Sequence, residues 1–126
     1  MPNFLNMGDG FPTEGTIIPS ATRTIGAFTI QFPDEVPLNG GSPWNFFINI
    51  SAVGVGFTGI TFTFELQDPT SGIWVDSGVA PVTYVGIGTM LRYVAPTNLG
   101  NDTRIKYVIA GGTCTFSVGY NLLLNR

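Results

Sequence analysis

The segment Ile60-Thr61-Phe62-Thr63-Phe64-Glu65-Leu66-Gln67 sets four large apolar side chains on one parity and four polar ones on the other. Successive side chains of an extended strand point to opposite faces, so the segment has one dry face and one wet face. A helix of 3.6 residues per turn would scatter both sets around its axis. Four further stretches keep the same rhythm. Residues 24–32 put Phe28, Ile30 and Phe32 together; Phe46, Ile48, Ile50 and Ala52 alternate with Phe47, Asn49, Ser51 and Val53. Ile105, Tyr107 and Ile109 alternate with Arg104 and Lys106, and Cys114, Phe116, Val118, Tyr120 and Leu122 alternate with Thr115, Ser117, Gly119 and Asn121. Shorter strands are expected over 73–76, 82–85 and 90–94.

Turn chemistry separates these runs: Asn39-Gly40-Gly41, Asp68-Pro69-Thr70-Ser71-Gly72, Gly86-Ile87-Gly88, Asn98-Leu99-Gly100-Asn101-Asp102 and Gly111-Gly112. Glycine supplies positive φ and proline pre-sets the first turn position. A sheet with one dry face must cover it with another sheet. The expectation is an all-β chain: a single antiparallel β-sandwich, jelly-roll or immunoglobulin-like, of about seven or eight short strands spanning residues 23–126. Residues 1–22 hold Pro2, Pro12, Pro19, Gly8, Gly10 and Gly15 without sustained periodicity and read as an extended N-terminal arm. Its isolated apolar residues Phe4, Leu5, Phe11, Ile17 and Ile18 favour docking on a partner, because a solvated tail has little use for them.

Composition points toward assembly. Only 10% of the 126 residues are charged while 44% are hydrophobic, against about 25% charged in a typical soluble domain. A subunit packed against neighbours can dispense with the charges that keep a free monomer's surface wet. The net charge of −3, with five cationic residues in all, does not suit a phosphate backbone, so nucleic acid is not an expected partner. No membrane span is expected either: residues 36–64 lack charge, but Asn, Ser, Thr and Gly interrupt them at strand period. The first ten residues have no cationic start followed by an apolar run, so no secretory signal is expected.

Catalytic equipment is sparse. The chain has no histidine, which removes the Ser-His-Asp and Cys-His arrangements and the commonest zinc ligand. Cys114 is the single cysteine; it shares a parity with Phe116 and Val118 and reads as an inert core thiol. Asp9, Glu14, Asp34, Asp68, Asp76 and Asp102 fall in the arm or in turns, Glu35 neighbours Asp34, and Glu65 sits on a wet face. That is where carboxylates cap or solvate. A calcium site would draw on Asn101 and Asp102, with Asp68; it takes six or more oxygens and the spacing matches no calcium loop, so it is the less favoured reading. Gly54-Val55-Gly56-Phe57-Thr58-Gly59 spells the dinucleotide fingerprint, yet the fingerprint needs a helix after its last glycine. Here a strand comes next. No cofactor, no metal and no enzymatic activity are expected. Trp44 and Trp74 read as aromatic anchors of a core or interface, with sugar stacking as the other reading.

The second half carries a resemblance. Residues 64–76 (Phe64-Glu65-Leu66-Gln67-Asp68-Pro69-Thr70-Ser71-Gly72-Ile73-Trp74-Val75-Asp76), then Leu91-Arg92-Tyr93-Val94, Arg104-Ile105-Lys106-Tyr107-Val108-Ile109 and Phe116-Ser117-Val118-Gly119-Tyr120, resemble the small β-sandwich decoration, or cement, proteins of tailed-bacteriophage heads. The resemblance covers about residues 60–122 and implies a non-catalytic capsid-surface protein. Its partners would be the major capsid protein and further copies of itself. Thr115, Ser117 and Asn121, neutral and on the wet parity of the last strand, are the expected contacts there, together with the arm. Sparse lysine leaves strand edges free to pair across subunits. The alternatives are another virion component, such as a tail protein, or a carbohydrate-binding or adhesin sandwich.

Overall fold

The computed structural model describes residues 14–31, 43–94 and 103–122. They form seven strands: β1 (Glu14–Gln31), β2 (Trp44–Val53), β3 (Gly59–Gln67), β4 (Trp74–Asp76), β5 (Val82–Tyr84), β6 (Gly88–Val94) and β7 (Thr103–Leu122). All pairings are antiparallel. The hydrogen-bonded path runs β4-β3-β7-β2-β6, with β1 on the other flank of β7 and β5 beside β3.

This one curled sheet folds over itself into the two layers of a sandwich. β7 is the spine. Its first half, Thr103–Ala110, pairs with β3, and its second half, Cys114–Leu122, pairs with β2. β1 runs along the opposite flank through both layers, first beside residues 113–121 and then beside 104–109. The first layer is therefore β1–β7–β2–β6 and the second is β1–β7–β3 with β4 and β5 at its rim.

The corner lies at Gly111 and Gly112, whose φ values are 74° and 60°. Two separate strands joined by a Gly-Gly turn were expected here. Instead the glycines bend one continuous strand without reversing it, because two successive left-handed residues turn the pleat out of its layer. The fingerprint-like segment is the matching crossover from β2 to β3. Gly54 N donates to Thr113 O at 2.9 Å and Thr58 N donates to Ala110 O at 2.8 Å, so the crossover hugs the bend from both sides.

The arm boundary also moves. Residues 14–22, expected in the arm, belong to β1 and pair with residues 115–121 of β7. Their rhythm is hidden because the register shifts between Thr16 and Ile18, again between Ile18 and Ala21, and again between Thr24 and Gly26. The first two shifts each add one residue to β1 and flip the parity of the strand beyond them, while the third takes up the two extra residues of β7 at its bend. Residues 1–13, with Phe4, Leu5 and Phe11, lie outside the described residues, as do residues 39–41 and 98–102, where turns were expected.

The dry parities meet between the layers. Trp44, Phe46, Ile48 and Ile50 of β2 face Ile60, Phe62 and Phe64 of β3, with Ile105, Tyr107, Ile109, Cys114, Phe116, Val118 and Tyr120 of β7 between them. Phe46 and Phe64 have ring centroids 4.9 Å apart across the layers, and Phe116 meets Tyr107 edge-on at 5.0 Å. Each such aromatic pair adds about 0.5–1.5 kcal/mol to its burial. Arg23 closes the sandwich below β1: its guanidinium lies 4.9 Å from the Phe116 ring centroid and donates to Pro19 O and Phe116 O. Arg92 closes the opposite side by donating from Nη2 to Ala80 O at 2.7 Å.

Candidate functional site

The groups that could carry chemistry are occupied with structural work. Glu65 accepts from Arg104 Nε at 2.7 Å, and the same guanidinium lies 4.4 Å from the Trp74 ring centroid. Asp68 accepts from Ser71 Oγ at 2.6 Å and Thr70 N at 3.0 Å within the β3–β4 turn, which holds its carboxyl below the usual range. Asp76 accepts from Gly78 N at 2.8 Å. Burial pushes the Cys114 thiol up, away from the reactive thiolate. Among the described residues no three of His, Cys, Asp or Glu come together in a way that could hold a metal ion. Asn101 and Asp102 lie outside the described residues.

The two tryptophans part company. Trp44 is 1% exposed and packs between Phe46 and Tyr120. It is an anchor of the core and offers no ring face to a sugar. Trp74 lies at the rim of the second layer, half-buried, with one face under Arg104. Ile17 and Ile18, expected as contacts to a neighbour, are buried in the chain's own core. The bulge between Thr16 and Ile18 explains why two consecutive side chains can both turn inward.

Thr115, Ser117 and Asn121 stand where the wet parity of β7 puts them, half-buried on the outer face of the first layer. The register assembles rows around them. Asn121 lies beside Asn45, which lies beside Tyr93; Gly119 beside Phe47 beside Leu91; Ser117 beside Asn49 beside Thr89. Thr89 Oγ1 donates to Asn49 Oδ1 at 2.9 Å, and the Thr115 and Thr22 hydroxyls share a 2.7 Å bond. The middle row is apolar and open to solvent: Phe47 is 39% exposed, Leu91 57% and, in the row beside it, Tyr93 53%. Because Gly119 has no side chain, a shallow depression of about 470 Å³ opens beside Phe47, lined also by Glu14, Gly15, Thr16, Tyr120 and Asn121. Glu14 is the single carboxylate among those lining residues.

An apolar centre ringed by amides and hydroxyls is the anatomy of a protein-binding patch. Phe47, Leu91 and Tyr93 were not among the expected contacts. The signal for Phe47 was present, since an aromatic residue stood on the polar parity of β2. Leu91 and Tyr93 were placed in a strand without a face assigned to either parity.

No protein-family model and no curated protein matches the sequence. Among solved structures, the chain is similar to a protein of the Bacillus endospore appendages, a family of disulfide-linked pili, at TM-score 0.45 and 13% identity, covering 90% of each chain. It is also similar to CBM28, a carbohydrate-binding module specific for non-crystalline cellulose, at TM-score 0.44 and 16% identity, covering 83% of this chain and 70% of that one.

Proposed function

We propose that this chain is a non-catalytic structural subunit that works by packing its sparsely charged outer face on neighbouring protein, and that its lattice is the head of a tailed bacteriophage, where it acts as a decoration protein. The observation that carries the packing part is the Phe47–Leu91–Tyr93 patch with its rim of amides and hydroxyls. Exposed apolar side chains grouped on one face are costly to leave in water, and a rim whose one carboxylate is Glu14, at the edge of the depression, can be buried with few charges stranded. The head assignment rests on the resemblance of residues 60–122 to decoration proteins. The segments that carry it fall in β3, β4, β6 and β7, so β6 and the second half of β7 supply both the resemblance and the patch. The expected partners are the major capsid protein and further copies of the chain, at the capsid surface.

Co-sedimentation with bare heads assembled from a tailed-bacteriophage major capsid protein of the same source tests this. The wild type is expected to pellet with heads and to raise their heat resistance. Phe47→Asp, which keeps the fold because its side chain points outward, is expected to remain in the supernatant. A wild type that never pellets, or a Phe47→Asp variant that pellets equally well, overturns the reading.

A further inference from the structure

Among the described residues the sandwich has two long open edges, and they are built differently. β1 is guarded: its register with β7 shifts three times, Pro19 lacks an N–H, and Arg23 lies along it. Bulges, proline and charge are the devices by which proteins keep an edge from pairing with another strand. β6 has none of them. It pairs with β2 through seven consecutive residues without a shift, and it contains neither proline nor lysine. Its single charge, Arg92, turns under the layer to Ala80 O. Along its outer side no strand is paired among the described residues. Its outward side chains are Thr89, Leu91 and Tyr93, all exposed.

We infer that β6 is a homodimerisation edge: it pairs antiparallel with β6 of a second copy, about a two-fold axis through Leu91. The inference deepens the packing reading above by naming one of the partners and the register. Leu91 is the middle residue of Gly88–Val94, so a pairing centred there engages every residue of the strand. It sets Tyr93 against Thr89 of the second copy and Arg92 against Met90. A pairing centred on Arg92 would leave Gly88 and Thr89 without partners, and one centred on Met90 would leave Tyr93 and Val94 without them. Length thus selects a single register. Phe47 already lies beside Leu91 within the chain, so the centred pairing extends the row across the axis as Phe47, Leu91, Leu91 and Phe47. A two-fold axis sets the residue that lies on it against its own copy, and an aliphatic–aromatic row is favourable across paired strands. The two first layers become one sheet of eight strands.

Cysteine cross-linking reads this register. Residues directly opposite in an antiparallel pair have Cα atoms about 4.5–5.5 Å apart, inside the span a disulfide bridges. Cys114 is buried and does not compete. Under mild oxidation Leu91→Cys is expected to give a covalent dimer, while Tyr93→Cys is not, because each Tyr93 faces Thr89 of the other copy. The double variant Thr89→Cys/Tyr93→Cys restores the cross-link. Light scattering of the wild type is expected to give twice the 13.5 kDa of one chain, and Leu91→Lys, with near-ultraviolet circular dichroism unchanged, half that value. A wild type that stays monomeric at high concentration overturns the inference, as does an assembly in which Leu91→Cys remains reduced. A monomer that still pellets with heads would sink this inference and leave the packing reading intact.

Discussion

Replacing Gly112 by alanine attacks the one place on which both layers depend. At φ 60° an alanine sits in the left-handed region, at a cost of about 1–2 kcal/mol. Its Cβ would also lie 2.5 Å from Val55 O and 2.9 Å from Phe57 N, both backbone atoms of the crossover. These cannot swing aside as a side-chain tip could. Overpacking of that kind adds about 1–3 kcal/mol, so the expected loss is about 2–5 kcal/mol, a large part of the 5–15 kcal/mol typical of a whole domain. Two other glycines separate the contributions. Gly78 has φ 87° with nothing within 4 Å of an added Cβ, so Gly78→Ala is expected to lose only the conformational part, about 1–2 kcal/mol. Gly86 has equally open space and no positive φ, so Gly86→Ala is expected to be neutral or to gain about 0.4–1 kcal/mol by restricting the unfolded chain. Urea unfolding followed by tryptophan fluorescence gives the three midpoints. The order Gly86→Ala, Gly78→Ala, Gly112→Ala, from most to least stable, is the expected result. A Gly112→Ala variant as stable as Gly86→Ala would refute the account of the bend.

Two further outcomes rest on parity and burial. Phe62→Asp removes a fully buried ring and puts a carboxylate among Tyr107, Phe116 and Tyr84; loss of the ring alone is worth about 3–5 kcal/mol, and the buried charge adds several more. The variant is expected to be insoluble, while Thr63→Asp, outward and opposite Lys106, is expected to fold; similar melting curves for the two would contradict the assignment of faces. Burial pushes up the Cys114 thiol and the Tyr84 and Tyr107 phenols, with Arg23 partly opposing the last. The fold therefore favours their protonated forms, so this stability is fully present below their unfolded pKa values, about 8.5 for Cys and 10 for Tyr, and is lost as pH rises beyond them. The urea midpoint is expected to hold from pH 7 to about 8.5 and then fall, less steeply in Tyr107→Phe. A midpoint that stays level to pH 11 would contradict it.

The core was legible because its rhythm is strict. Every large residue assigned to the dry parity of β3 except Leu66, and every one from Cys114 to Tyr120 in β7, is buried. The bend was not legible, because Gly-Gly between two strands serves a hairpin or a corner equally well, and only the partners on both flanks decide. The beginning of β1 was hidden by its bulges, which bury Ile17 and Ile18 side by side and so erase the alternation. Of the outer face, the neutral half on β7 was readable from Thr115, Ser117 and Asn121. The apolar half was not, because it exists only once the register sets Leu91 beside Phe47 and Gly119 leaves the space next to them open. Which edge is guarded depends on register shifts in β1 and on where Arg92 turns, neither of which a linear pattern records.

The claim that this face binds through uncharged contact has one direct test: the affinity of the wild-type chain for heads, measured by co-sedimentation from 50 to about 500 mM NaCl, across which the Debye length shrinks well below the 10 Å it has at 0.1 M. Contacts made by Phe47, Leu91, Tyr93 and neutral amides are expected to give an affinity that holds or rises slightly with salt. An affinity that falls tenfold or more over that range would show that ion pairs do the binding, and would contradict the account.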